Sequence, residues 1–526
     1  MVSVSKDERL RHGKRLTRLA ALLAGAAIFG ALAASTASAT PWAETGDRQL
    51  RQDVELLASR HIITGPINSW PLAWSQMSVA EQVAGDAAAP AEVRAAAARI
   101  VARYTAAQTG LVEANIMGTS RSAIVRDFGS QPRAKGDFSA RIVQDFGNLT
   151  VSLGAGYRVS QGDAFRNGAK YNFESSYAAW SIGNWAVYGG YVDSWWGPGE
   201  DGALMLSNNA RPSLKVGVKR LLAYPIDLPV LRWLGPIRFD AFVSRLEGGR
   251  NDYQHPYTIN YRVDFAPPVL PGLEIGLSRQ SMLCGSGSYC TFSSVLSQVI
   301  VVGRQYNNGI AATDAADKLA GIDISYRTHF GRVAAQVYGE MQAEDAGGFL
   351  ISQYGRKVGA RLTAPLGDSG TTLMVGSEYT DTLANNLLGG HAYPGSFYNN
   401  NGYTDGKRNH GLASGESIDG DGNLFSIDVA VTDPKNRYYY ASLRRANINQ
   451  TNVAGPSDTL PVRNALSGNY VRIDIATLGV VAPTPFGDLT AEVRHSSDIP
   501  NHIGPAQPRF DVSVGWRVNF GKGGMN

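Results

Sequence analysis

Phe510-Asp-Val-Ser-Val-Gly-Trp-Arg-Val-Asn-Phe520 places Phe510, Val512, Val514, Trp516, Val518 and Phe520 on one side of an extended chain, and Asp511, Ser513, Arg517 and Asn519 on the other. Successive side chains of a strand point to opposite faces, so the period of two marks a two-faced strand. The same alternation runs through Tyr257–Phe265, Ile322–Arg327, Val471–Ile475 and Leu489–Arg494. A soluble sandwich would also carry one polar face per strand. Three features favour a membrane barrel instead: aromatic residues near the ends of the apolar faces (Tyr257 and Phe265, Phe510 and Phe520), strands of about ten residues, and connections that alternate in length. Short turns are expected at Gly183-Asn184, Phe330-Gly331, Pro365–Ser369, Asp433–Asn436 and Pro483–Asp488. Long segments lie between them, at 197–212, 283–318, 382–422 and 449–468. The count of segments predicts about eighteen strands, with 115–127 as the first; a chain that starts and ends on the periplasmic side needs an even number. Phe520 resembles the terminal aromatic by which such barrels are recognised by the assembly machinery, although six residues follow it.

Composition points the same way. Charged residues make up 18% of the 526 residues, against about 25% in an average soluble chain. A mean hydropathy of -0.16 excludes a bundle of apolar membrane helices. Nine Trp, 23 Tyr and 17 Phe among 44% hydrophobic residues exclude disorder. Residues 1–39 have the layout of a secretory signal: a basic stretch to Arg18, an apolar run from Leu19 to Ala34, and Ala37-Ser-Ala39 before Thr40. Residues 1–18 carry six cationic and two anionic side chains, so the whole formal charge of +4 leaves with the signal. The exported chain is then near neutral, which removes the charge argument for nucleic acid. Cys284 and Cys290, the two cysteines, are expected to close a small disulfide loop in an oxidising compartment.

Between signal and barrel the period is helical. Leu50, Val54 and Leu57 share a face of a helix capped by Asp47, and Ala88–Tyr104 is expected to form a second helix. The organisation expected is a signal peptide (1–39), a periplasmic helical unit (40–110), a barrel with long extracellular loops (111–520) and a C-terminal tail (521–526). The fold class is an all-β transmembrane barrel with a small N-terminal α-helical unit, in the outer membrane of a Gram-negative bacterium.

No enzyme is expected. Gly276-Leu-Ser-Arg-Gln280 lacks the last glycine of a nucleophile elbow, the eight His are scattered, and Gly402–Lys407 is one residue short of a P-loop. Asp419-Gly-Asp-Gly-Asn423 alternates oxygens as a calcium loop does but has no closing Glu, so a hairpin turn is preferred. Arg238, Asp240, Arg262, Asp264, Asp323, Arg327, Arg472 and Asp474 read as a mixed-sign lumen. No cofactor or metal is called for.

The informative stretches are loops. Tyr191–Asp201 leads into Leu204–Pro212, and Tyr393–Tyr403 into Thr404–Lys407. Exposed rings beside amides and carboxylates suit a polysaccharide, with sugar C–H faces on Tyr or Trp and hydroxyls on Asn, Asp and Arg. The candidate binding residues are Asp193, Trp195, Trp196, Asn208, Asn209, Arg211, Tyr393, Tyr398, Tyr403 and Lys407. The competing reading is that these side chains fold the loops onto one another and close the barrel mouth.

Several of these stretches resemble the capsule-assembly Wzi family: Leu50–Leu57, Ser69–Trp74, Trp195-Trp-Gly-Pro-Gly199, Ser207-Asn-Asn-Ala-Arg-Pro212, Val337–Asp345 and the Tyr393–Lys407 loop. The Cys284–Cys290 loop and the 449–468 segment depart from that pattern. The resemblance implies an eighteen-stranded barrel with a periplasmic helical bundle. It also implies a lectin-like role without catalysis: binding capsular or other exopolysaccharide and organising it at the cell surface. Expected partners are that polymer, outer-membrane lipid and lipopolysaccharide, and the barrel-assembly machinery; the chain is expected to be a monomer. The alternative is a porin-like channel for sugars or oligosaccharides, since eighteen strands enclose a bore wide enough for water unless it is filled.

Overall fold

A computed structural model describes residues 40–108, 111–129, 131–161, 170–229, 231–288, 290–291, 295, 316–344, 353–386, 390–455, 462–500 and 508–520. The expected export signal and C-terminal tail lie outside the described residues, as do parts of the 283–318 and 449–468 segments.

Eighteen strands among the described residues form the barrel. They are β1 (Val112–Thr119), β2 (Ala134–Asp145), β3 (Leu149–Gln161), β4 (Tyr171–Asn172 continued by Tyr177–Ile182), β5 (Trp185–Tyr191) and β6 (Leu214–Arg220). Then come β7 (Ile237–Arg245), β8 (Tyr257–Phe265), β9 (Leu273–Leu283), β10 (Asp317–Phe330), β11 (Val333–Glu344) and β12 (Tyr354–Pro365). The last six are β13 (Thr372–Asn385), β14 (Asn423–Thr432), β15 (Tyr438–Ile448), β16 (Val471–Thr484), β17 (Gly487–Ser496) and β18 (Phe510–Phe520). Both halves of β4 pair with β3, so they are one interrupted strand. Neighbours are antiparallel throughout, and β18 pairs with β1 from Ser513–Thr119 to Phe520–Val112, which closes the sheet and leaves no edge.

Burial is inverted relative to a soluble sandwich. On β18, Phe510, Val512, Val514, Trp516 and Phe520 are exposed while Asp511 and Ser513 are buried. On β8 the polar residues Thr258, Asn260, Arg262 and Asp264 are all buried, as is Ile259 near the long-loop end. Such a wall is stable only with hydrocarbon outside and polar partners inside. Exposed Trp185, Phe330, Phe486 and Phe520 lie near the short-turn end, and Tyr257, Tyr379, Phe425 and Phe510 near the long-loop end, as two interfacial girdles would.

Two expectations are corrected. The first strand is Val112–Thr119, not 115–127: from Ser120 the chain leaves the wall and turns inward, burying Arg121, Arg126 and Asp127. Arg472 and Asp474 do not face the lumen. At the top of β16 it is Val471, Ile473 and Ile475 that point inward, packed on Ile418, Leu424, Ile448 and Leu466. Asp474 pairs on the outside with Arg445 at 2.6 Å, both half-exposed. The strand there outruns the apolar belt, so water bathes its outer face while folded loops fill its inner one. Arg238, Asp240, Arg262, Asp264, Asp323 and Arg327 are buried inward.

The lumen is filled. Helix α1 (Arg48–Ser59) starts at Asp47, whose carboxylate accepts from the Leu50 N–H at 2.8 Å. It packs with α2 (Val79–Gly85) and α3 (Ala91–Gln108) around Leu50, Val54, Leu57, Ala97 and Ile100. This unit sits inside the short-turn end and is tied to the wall. Glu274 of β9 accepts from the backbone N–H of Ile67 and Asn68, and pairs with Arg327 at 2.8 Å. Lys219 of β6 donates to the Pro71 carbonyl at 2.9 Å, and Arg361 of β12 pairs with Glu55 and with Glu200. Charges this deep are stable only when paired and hydrogen-bonded.

Two outcomes follow. Val337, 55% exposed on the outer face of β11, replaced by Arg is expected to cost about 2–4 kcal/mol if it lies near the bilayer midplane, read by denaturant unfolding in lipid vesicles. Glu274→Ala removes the shared acceptor of the 66–70 segment and strips Arg327 of its carboxylate. A loss of about 3–5 kcal/mol is expected, read as a lower unfolding midpoint in detergent, together with a rise in planar-bilayer conductance as the plug loosens.

Candidate functional site

The 192–213 connection does not project outward; it folds down into the barrel. Trp195 and Trp196 form a two-residue antiparallel strand with Trp70 and Ser69 of the helical unit. The Trp195 ring lies edge-on to Phe128 at 5.1 Å, Phe128 lies edge-on to Trp70 at 5.2 Å, and the Arg51 guanidinium stands 4.5 Å over Phe128. Three separate segments thus meet in one aromatic core. Gly197 carries φ 153°, and a Cβ there would run into the Glu340 carboxylate. That carboxylate is occupied as an anchor, accepting from the N–H of Gly199 at 3.1 Å and of Leu204 at 2.9 Å. The glycines of Trp-Trp-Gly-Pro-Gly therefore let backbone approach a buried acid.

The aromatic candidates are not the exposed rings that the sequence suggests. Trp195, Trp196, Tyr398 and Tyr403 are each at most 1% exposed. Trp196 packs on Phe242 at 5.5 Å. Tyr398 donates its hydroxyl to the Leu204 carbonyl at 2.6 Å and accepts from the Glu416 N–H at 2.9 Å, which clasps the 393–422 segment to the 192–213 segment. Tyr403 donates to the Cys284 carbonyl at 3.0 Å, beside the Cys284–Cys290 disulfide. Tyr393 is half-buried and donates to Asn386. Lys407 is buried against Asp317 at 2.9 Å, and Asn209 donates to the Ala413 carbonyl. The oxygens of the calcium-like stretch are also engaged: Asp419 pairs with Arg408 at 2.5 Å and Asp421 accepts from Thr451. The described residues contain no cluster suited to a metal ion.

Asp193, Asn208 and Arg211 are brought together differently. Asp193 stands between two polar chambers. One, about 50 Å³, is bounded by Ser207, Arg211, Lys215, Asn260, Gln280 and Asn409. The other, about 340 Å³, runs along the inner wall of β1–β5, from Asp488 and Arg517 to Asn172 and Asn208. Its long-loop end holds residues that the sequence reading missed: Arg126, Arg133, Arg158 and Glu174. Glu174 accepts from Arg158 at 2.6 Å, from Arg211 at 2.7 Å and from Arg133 at 3.5 Å. Arg133 also donates to the Asn208 carbonyl. Burial raises the Asp193 carboxyl pKa against the pull of Arg133. Burial acts to raise Asp127 as well, but Arg48 and Arg444 outweigh it and hold that carboxyl well below the usual range. No spacing in the sequence marks these arginines, because the β1–β2 loop contributes Arg126 and Arg133 and β3 contributes Arg158.

The site can engage hydroxyls and anions through amides, guanidinium groups and a partly buried carboxylate; it has no nucleophile–base pair described. Tyr398→Phe deletes the clasp hydroxyl and orphans two buried backbone groups. A loss of about 1–3 kcal/mol is expected, read by thermal unfolding, with faster proteolysis within 393–422.

The family model described as capsule assembly protein Wzi matches residues 107–472. A Klebsiella pneumoniae protein described as an uncharacterized 55.8 kDa protein in cps region is 26% identical over 311 residues. That match spans 58% of this chain and 59% of the relative, under two thirds of its length. A solved Escherichia coli structure, described as Wzi, an outer membrane protein involved in group 1 capsule assembly and a carbohydrate-binding β-barrel, superposes with a TM-score of 0.75 at 22% identity, over 91% of this chain and 100% of that one. At that identity the likeness speaks for the fold. Acinetobacter baumannii OccAB2 reaches a TM-score of only 0.41 at 8% identity, covering 78% of this chain and 98% of that one, and carries no argument. With a family model matched over more than half of its length, and the β-barrel fold of a solved Wzi structure shared over 91% of the chain, the chain belongs to the capsule assembly protein Wzi family of the outer membrane.

Proposed function

We propose that this protein is a surface lectin that binds capsular or other exported polysaccharide and holds it at the outer face of the outer membrane. The observation that carries the reading is the closed lumen. The helical unit and the inward-folded loops are bonded to the inner wall, while polar chambers lined by amides and guanidinium groups remain beside Asp193. The solved Wzi structure is described as a carbohydrate-binding barrel, and the amides and charged groups of these chambers suit the same class of ligand. In this reading residues 1–39 are the export signal, the short-turn end with the 40–110 unit faces the periplasm, and the long loops face outward. Lipopolysaccharide surrounds the aromatic girdle, the assembly machinery inserts the chain, and the monomer is the working unit. Asp193, Asn208 and Arg211 contact the polymer. Trp195, Trp196, Asn209, Tyr393, Tyr398, Tyr403 and Lys407 hold the loops in the shape that presents it. A long repeating polymer makes weak individual contacts sufficient, because neighbouring units rebind at high effective concentration.

The length of the larger chamber favours one second reading, a passage for saccharides along β1–β5. Pull-down of the organism's own surface polymer by purified protein separates the two, with planar-bilayer conductance as the second readout. Retention by the wild type, at least threefold weaker retention by Asp193→Asn, and no steady pore current are expected. A large steady current without polymer retention would replace the lectin by the passage.

A further inference from the structure

The larger chamber contains a charge that the fold itself does not use. Arg126, on the loop between β1 and β2, is 4% exposed and lines the chamber. Its backbone N–H donates to Ser417 at 3.1 Å, but its guanidinium has no hydrogen bond or ion pair among the described residues. The acids that act on it are Asp193 and Asp127. Asp127 is held by Arg48 and Arg444, and Asp193, 3.8 Å from Arg133, forms no ion pair with Arg126 among the described residues. Burial, with Arg133 and Arg158 nearby, lowers the pKa of the Arg126 guanidinium below its ordinary value, as expected of a cation set among cations. Among the other buried atoms of this chamber that lack partners among the described residues are Asn208 Oδ1, an acceptor, and Asn172 Nδ2, a donor. Arg133 bonds the Asn208 carbonyl and Glu174, the Glu174 N–H donates to Asn172, and Arg126 lies near Arg133 and Arg158, which groups the three at one end.

A lone buried guanidinium is costly unless an anion joins it. A guanidinium fork matches a carboxylate in two parallel hydrogen bonds, whereas a nearby free acceptor and donor match sugar hydroxyls. We propose that this end of the chamber is a subsite for a carboxylate-bearing sugar unit, with the acid on Arg126 and ring hydroxyls on Asn208 and Asn172. The chamber volume of about 340 Å³ accommodates a sugar unit rather than a bare ion alone. The proposal rests on the lectin reading and deepens it by naming the chemical class of the ligand.

The test uses the full protein in detergent with glucuronic acid, glucose and inorganic phosphate as probes, by isothermal titration and thermal unfolding. Saturable glucuronate binding, no glucose binding, and phosphate at least tenfold weaker than glucuronate are expected. Arg126→Gln should weaken glucuronate at least tenfold, and Arg126→Lys should recover part of the loss. The unfolding midpoint of ligand-free Arg126→Gln should equal or exceed that of the wild type, because an unpaired charge is removed; a merely structural arginine would lower it. Absence of glucuronate binding, equal binding by Arg126→Gln, or phosphate binding as tightly as glucuronate overturns the subsite. A parallel pull-down uses surface polymer whose carboxylates have been reduced to alcohols. If wild type and Arg126→Gln retain native and reduced polymer equally, the subsite fails and the lectin stands. If the wild type retains no polymer yet binds glucuronate through Arg126, the lectin reading fails and the acid subsite stands.

Discussion

A closed barrel whose inner wall carries charge at alternate positions must find partners for that charge. Water could do it in an open pore, but here polypeptide does. Arg262 is fully buried between Asp264 at 2.5 Å and Asp323 at 2.7 Å, Lys357 between Glu378 at 2.6 Å and Glu416 at 2.9 Å, and Arg444 against Asp201 at 2.5 Å. Glu416 and Asp201 come from loops rather than strands. Removing either side of such a set strands a desolvated ion, so wall, plug and loops are bound into one unit.

This coupling explains the glycines and aromatics of the 192–213 segment. The chain has to pass next to Glu340, Lys357 and the helical unit at once, which Gly197 and Gly199 permit and any Cβ would obstruct. Trp195 then completes a core with Phe128 and Trp70 instead of offering a sugar platform. Ligand recognition is left to polar groups around chambers that the packing does not fill. Arg126, Asn208 and Asn172 are among the buried groups left without full pairing there among the described residues.

The same balance separates outer from inner behaviour along single strands. On β16, Leu478 is 61% exposed, whereas six residues nearer the long-loop end Arg472 faces out and Ile473 faces in. Hydrocarbon surrounds the first and water the second, while the inner partner changes from charged wall to apolar loop. One strand thus records where the membrane ends.

Much of the fold was legible because its causes are local. Alternation in Phe510–Phe520 and Tyr257–Phe265 states which side chains share a face, short turns state which strands are neighbours, and Asp47 before Leu50, Val54 and Leu57 states where a helix begins. The candidate site was legible only in part. Asp193, Asn208 and Arg211 could be singled out by type, but Trp195, Tyr398 and Tyr403 were read both as exposed sugar platforms and as residues that fold the loops together, because an aromatic in a polar loop looks the same whether the loop projects or folds inward. Which way a loop turns depends on contacts across hundreds of residues, such as Arg444 with Asp127 or Asn68 with Ser325. Period and turn chemistry, acting between adjacent residues, determined a lipid-facing barrel with a helical preface. Burial and charge pairing between distant segments, which no local pattern encodes, decided that the helical unit and loops pack inside the barrel and that Arg126 faces its chamber with no ion pair among the described residues.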